Sequence, residues 1–348
     1  MHPSSGSILM QKSTFITLAV LTVLVLFLFG CTNNSPSGLA TASAINTDHQ
    51  LKIGIQTQAV STLVMVADQE GFFKNEGLNV ELANFSAGKY ALQALLANQV
   101  DFAVVGDVPI VLAAMNGNEL YVIGQPIKSS NENKVIALKD SNTISAKEYF
   151  SAKKRKISTT NGATAELFTI EFLDYYGIDQ NQVELVYQKP EDMVAALSSR
   201  SVDAISIFEP YPYIAEKKMS GAVIGFDAPQ DIYHPLYSIV AQKQLIDENP
   251  QTAIKLLKAL KKAEDFVKKN PEEAQLLVAK ESGFALDEVN SQWNKYVIEL
   301  DLSDRLIANW NEVANWAIKT NKTKSSIVPD FNKIIRKDLF EEAMAGAS

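Results

Sequence analysis

The sequence predicts an α/β protein built from two alike βα modules. Three observations carry that prediction. The order strand, helix, strand, helix, strand begins at Leu51. The same order begins again at Lys156, and a tail of amphipathic helices follows from Gln251. Alternating strands and helices of this kind build a parallel sheet with helices on its faces.

Each element has a local cause. Leu51-Lys52-Ile53-Gly54-Ile55 alternates as a half-buried strand does. Val60 to Glu70 is apolar on one helical face, and Gly71 stops it. A second strand is expected at Leu78–Leu82, a helix at Lys89–Asn98 and a third strand at Val100–Val105. In the second module the strands are expected at Lys156–Thr159, Val183–Tyr187 and Val202–Ile207, with helices at Thr164–Tyr176 and Glu191–Ser199. Ala94-Leu95 matches Ala196-Leu197, Val100-Asp101 matches Val202-Asp203, and Asp107 matches Glu209, all at one offset.

Asn133–Leu138 is expected to lead out of the first module and Tyr237–Ala241 to lead back. The expected lobes are therefore 51–133 with 236–344, and 134–235, joined by a two-crossing hinge that allows closure. In the tail, Ile254, Leu257, Leu260, Ala263 and Val267 form one helical stripe, and Leu306, Trp310, Val313 and Ala317 another. Asn249-Pro250 and Asn270-Pro271 each place a capping residue before a proline at the first helical position. Asp330–Met344 also reads as helical, and these helices are expected to cover the first lobe.

The chain of 348 residues is 47% hydrophobic and carries a formal charge of −8, with a sequence pI near 5.1. No basic patch suited to nucleic acid accompanies that acidic balance. Lys153-Lys154-Arg155-Lys156 reads as a solvated segment before a strand. One cysteine, Cys31, excludes an internal disulfide, and His2, His49 and His234 are too few for a His-rich zinc site. No metal or cofactor is expected.

Residues 1–30 read as a signal peptide. Phe15–Phe29 is an uncharged run behind Lys12, shorter than the roughly 20 residues that span a bilayer. Leu28-Phe29-Gly30-Cys31 resembles a bacterial lipobox, with Phe29 bulkier than the usual residue, which makes Cys31 the expected lipidation site. An uncleaved anchor helix is the alternative. Residues 31–50, rich in Ser, Thr, Asn and Ala, read as a flexible tether. Either way the body is expected outside the cytoplasm, anchored to the membrane.

Glu70-Gly71-Phe72-Phe73-Lys74-Asn75-Glu76-Gly77-Leu78-Asn79-Val80-Glu81 resembles a segment typical of nitrate/sulfonate/taurine-type solute-binding proteins, a group that includes binders of thiamine-precursor pyrimidines. Ala94–Pro109 (ALLANQVDFAVVGDVP), Val202–Tyr211 (VDAISIFEPY) and Asn270-Pro271-Glu272-Glu273-Ala274 are similar to further family motifs. The family usually has glycine where this chain has Asn98. The resemblance spans Leu51 to Phe340. It implies the two-lobed type II periplasmic binding protein fold, no cofactor, and an ABC permease with its ATPase as partners. A monomer is expected.

Ligands in open α/β sheets bind beyond the carboxyl ends of the strands, so the loops there hold the candidate site. Gln56, Thr57 and Gln58 follow the first strand and read as ligand contacts or as a helix cap. Ser86 and Gly88 open a helix whose N–H groups would favour an anion. Gly106 and Asp107 follow the third strand; Asp107 faces the ligand or caps the next helix. Thr160, Asn161, Gly162 and Thr164 offer an anion site made of hydroxyls and amides without a positive side chain. Glu209, opposed to Asp107, would suit an amine or ring N–H, or would serve the hinge. Tyr211, Tyr233 and His234, together with Phe208, are candidate walls or core. Replacing Thr160 or Asp107 by alanine is expected to weaken binding and spare the fold.

The expected function is capture of a small polar or anionic organic solute, an aliphatic sulfonate or taurine-like compound first, by hinge closure. Alternatives are a sensing domain that signals to a membrane partner, or a binder of a thiamine-precursor pyrimidine or nitrate. The chain contains no GxSxG, HExxH, Walker or GxGxxG motif, so an enzyme is not expected.

Overall fold

Leu51, Ile53 and Ile55 turn one face of β1 (Leu51–Gln56) into the core. A 3-10 turn at Ala59–Ser61 leads into α1 (Thr62–Gln69), and Gly71, at φ +69°, turns the chain into α2 (Phe72–Asn75). Next come β2 (Val80–Phe85), α3 (Gly88–Leu96), β3 (Phe102–Gly106), α4 (Asp107–Met115) and β4 (Leu120–Ser129). The second half holds β5 (Asn133–Leu138), α5 (Ala146–Ser151), β6 (Arg155–Thr159), α6 (Thr164–Tyr175), β7 (Val183–Tyr187), α7 (Pro190–Ser198), β8 (Ala204–Phe208), α8 (Tyr211–Lys218) and β9 (Val223–Asp227). The chain then forms β10 (Leu236–Gln242), α9 (Lys243–Glu248), α10 (Pro250–Lys269), α11 (Pro271–Ser282), α12 (Leu286–Trp293), β11 (Tyr296–Val297), α13 (Arg305–Lys319) and α14 (Lys337–Ala345). This computed structural model describes residues 50–140, 145–227, 229 and 232–346. The expected signal peptide, Cys31 and residues 31–49 lie outside the described residues.

Two sheets result, ordered β11-β4-β10-β3-β1-β2 and β7-β6-β8-β5-β9. In the first, β1, β2 and β3 are parallel, and β10 runs antiparallel between β3 and β4. In the second, β6, β7 and β8 are parallel, and β5 runs antiparallel between β8 and β9. Five strands correspond in order, with β10 in the place of β5 and β4 in that of β9, and β11 is an addition to the first sheet. Each module also repeats one backbone lock. Asp101 accepts the Lys52 N–H at 2.8 Å and returns its own N–H to Lys52 O; Asp203 does the same with Lys156.

The structure extends the sequence reading at several points. Asn133–Leu138 is an inner strand of the second sheet, so the outward passage is shorter, at Ser130–Glu132. Strand β4 carries Pro126 at a register shift against β10, the irregularity that lets proline sit in a strand. Asn249 and Asn270 occupy the N-cap positions without a side-chain capping bond, beside prolines that remove one of the donors a cap would serve. The last predicted helix is split. A 3-10 turn at Phe331–Lys333 precedes a bridge from Ile334 and Arg336 to Val122, and α14 follows.

Both tail stripes are buried as expected. Helix α10 packs on α1, α2 and α14, and α13 packs on α4. Among the described residues no helix is long and apolar enough to cross a membrane.

Candidate functional site

The carboxyl ends of both sheets meet at one small recess. Its walls are Gln56 at the end of β1, Ala87, Gly88 and Lys89 after β2, Gly106 and Pro109 after β3, Ala163 and Thr164 after β6, Phe208 in β8 and Tyr237 in β10. Three helices begin there: α3 at Gly88, α4 at Asp107 and α6 at Thr164. Each brings the positive end of its dipole to the recess, an arrangement suited to an anion, although in α4 the Val108 N–H is already bonded to Asp107 and Pro109 has none. Lys89 adds an ammonium, while Phe208, Pro109, Ala87 and Ala163 add apolar wall.

The recess is shut. Its volume is about 10 Å³, space for about one water molecule. Glycine is needed at two of its walls. A Cβ on Gly88 would lie 2.8 Å from Gln56 Nε2, and one on Gly106 would lie 2.5 Å from Thr164 Cγ2.

Of the residues proposed from sequence, Gln56, Gly88, Gly106, Thr164 and Phe208 line this recess. Gln58 is buried beside it, with Nε2 on Ser86 O at 3.2 Å and Oε1 without a partner. Thr57 donates its N–H to Phe85 O, and Thr160 Oγ1 donates to Gln188 O at 3.2 Å. Tyr211 packs edge-on against Phe208 and Phe284. His234 lines a separate cavity of about 340 Å³ with Glu171, Glu312 and Trp316, between α6 and α13. Lys89 and Tyr237 escaped the sequence reading, since a lysine in a helix reads as a solvated face and a strand tyrosine as core.

The acids stand behind the recess and are three in number. Asp107 is fully buried and accepts from the Val108 N–H at 2.8 Å, the Leu236 N–H at 3.3 Å and the Tyr233 hydroxyl. It is therefore built into the start of α4 and the returning chain. Glu209 accepts the Tyr213 N–H at 3.2 Å. Between them lies Glu132, which no sequence pattern marked. Its Oε1 accepts from Tyr237 at 2.6 Å, while Oε2 and the nearby Tyr296 hydroxyl have no hydrogen-bond partner. Burial pushes all three carboxyls up to about 7. The charges of Asp107 and Glu209 add to the effect on Glu132. Bonds from Tyr233 to Asp107 and from the Tyr213 N–H to Glu209 oppose it.

The turn at Thr160–Thr164 was expected to lack positive side chains, and the structure brings in two. Lys89 Nζ donates to Asn161 O at 2.5 Å, and Lys322 Nζ reaches Asn161 Oδ1 at 3.2 Å. Both come from distant parts of the chain, so local sequence could not show them. Burial lowers the proton affinity of Lys89, with Glu166 opposing that shift.

The NMT1-like family matches residues 46–280. A Bacillus subtilis (strain 168) protein described as a putative aliphatic sulfonates-binding protein is 27% identical over 341 residues, 94% of this chain and 98% of that one. Among solved structures, the alkanesulfonate-binding protein SsuA from Xanthomonas axonopodis pv. citri, bound to MOPS, aligns with a TM-score of 0.70 at 17% identity, covering 82% of this chain and 97% of that one. The periplasmic nitrate-binding protein NrtA from Synechocystis PCC 6803 aligns with a TM-score of 0.67 at 18% identity, covering 85% and 88%. The fold is thus that of the periplasmic binding proteins.

Proposed function

The chain belongs to the NMT1-like family, and from that premise we propose that it captures a small organic anion outside the cytoplasm and delivers it to an ABC permease and its ATPase. The solute class we favour is an aliphatic sulfonate or a taurine-like compound. Lipid on Cys31 would hold the protein at the membrane. One observation carries the choice of an anion: three helices start on the walls of a single recess that also holds Lys89. The apolar walls suit a short alkyl group. The acids behind those walls, held near 7, are partly neutral at neutral pH and oppose an anion less than ordinary carboxylates would.

A shut recess requires movement before a solute can enter. The chain passes between the sheets at Ser130–Glu132 and again between β9 and β10, which suits a hinge. Closure is supported on two sides. Leu167 of α6 packs into the apolar cluster of α4 and α13. Asp287, at the start of α12, accepts from Tyr213 at 2.9 Å and Lys217 at 2.5 Å, both in α8. Solute binding would shift the open–closed equilibrium, and the closed form would dock on the permease.

The test is a thermal-shift and calorimetric panel of ethanesulfonate, taurine, nitrate and an aminopyrimidine. Ethanesulfonate or taurine at about 100 times its dissociation constant adds about 2.7 kcal/mol of stability. Binding of the pyrimidine alone would overturn the choice of an anion, and no binding by any of the four would overturn the sulfonate reading.

A further inference from the structure

Glu166 lies two residues beyond Thr164, a wall of the recess. It is the third residue of α6 and is 1% exposed. Oε2 accepts the Gly162 N–H at 2.7 Å. Oε1 accepts from Lys322 Nζ and from the Tyr187 hydroxyl, both at 2.5 Å. Lys89, a wall of the recess, bonds to Asn161 in the same turn. The donors come from both halves. Gly162 and Tyr187 belong to the second, while Lys89 lies in α3 and Lys322 follows α13, in the helical cover of the first. Carboxylate and cation therefore meet across the seam, and parting the sheets would break that ion pair while the Gly162 and Tyr187 bonds stay with Glu166.

We infer that Gly162 N–H, the Tyr187 hydroxyl and the Lys322 ammonium, with Lys89 beside them, form an oxyanion subsite sized for a carboxylate or sulfonate group, and that Glu166 fills it as an internal ligand that favours the closed form. The inference deepens the solute-capture reading and rests on it for the meaning of closure. An incoming solute competes with a closed state that already exists, so opening limits its association rate.

Chemical rescue tests this in the full-length chain. Glu166→Ala should lower the thermal midpoint and enlarge the radius of gyration in X-ray scattering. Sodium formate should restore both saturably. Sodium chloride at equal ionic strength should not, nor should formate change the wild type. The double variant Glu166→Ala/Lys322→Met should resist rescue. Wild-type compactness in Glu166→Ala, or a loss that formate and chloride repair equally or that neither repairs, would overturn the inference. Lys322→Gln, changed at a less buried position, is the second variant. It should also enlarge the protein and raise the association rate of ethanesulfonate severalfold, and an unchanged size and rate would overturn the inference. Formate rescue with no ethanesulfonate binding to the wild type would support the internal ligand while removing the sulfonate reading. Ethanesulfonate binding without formate rescue would do the reverse.

Discussion

Gly106 and Thr164 touch across the gap between the two sheets so closely that a single added carbon cannot fit: a Cβ on Gly106 would lie 2.5 Å from Thr164 Cγ2. The backbone of Gly106, at φ −74° and ψ 162°, suits any residue, so the demand for glycine comes only from the opposing threonine. Gly106→Ala should fold normally, scatter as a more open particle and lose solute affinity. Adding Thr164→Ser, which removes Cγ2, should restore closure. A closed Gly106→Ala single variant would show that the two halves do not meet as described.

Lys89 lines the recess, and its ammonium donates to Asn161 O in the turn before α6. Lys89→Met keeps the length and apolar stem of the side chain and removes its charge. Calorimetry with ethanesulfonate should show affinity reduced about tenfold to a hundredfold, the effect of losing about 1.5–3 kcal/mol from a charged hydrogen bond.

Asp107 is expected to matter to stability more than to affinity. From sequence alone, Asp107→Ala weakens binding and spares the fold. In the structure its carboxyl receives two buried N–H groups and the Tyr233 hydroxyl. Removing it leaves three donors unsatisfied at about 1–3 kcal/mol each, so urea unfolding should report a total loss of about 3 kcal/mol or more.

The buried acids give stability an unusual pH dependence. Asp107, Glu132 and Glu209 are raised in the folded state from 3.8, 4.5 and 4.5 to about 7. A raised carboxyl binds its proton more tightly when folded. Its contribution is therefore full below the unfolded value and is lost as pH rises through the folded one. Melting temperature should fall between about pH 5 and pH 7 and level off above it, and Glu132→Gln should flatten that slope. The lowered carboxyls Asp247, Asp287, Asp301, Asp330 and Asp338 titrate below this window and leave it clear.

Asn98 and Arg200 occupy equivalent places in the two modules, at φ 56° and 60°. That left-handed backbone is one that glycine adopts without steric cost. Arg200→Gly should raise stability by up to about 1 kcal/mol and Asn98→Gly by less, since asparagine tolerates this conformation better. Chemical denaturation of the two variants checks the order.

Much of the fold was legible because its causes are local. Alternation marked β1, and helical stripes marked α10 and α13. The shared offset from Ala94 to Asp107 marked a repeat that the structure shows again in the paired locks of Asp101 and Asp203. Strand β4 was harder to read, because Pro126 interrupts a pattern that only its bulge against β10 accommodates.

By itself, the sequence determined the class of fold, the order of most elements and the repeat. Only the tertiary structure decided which polar residues meet at the strand ends. It drew Asp107 into the core, placed Glu132 between two other acids and brought Lys322 to Glu166 from 156 positions away. Secondary structure follows from neighbours a few residues apart, whereas charge pairing and proton affinity depend on burial and distance in space, and an isolated charged side chain carries no local mark of either.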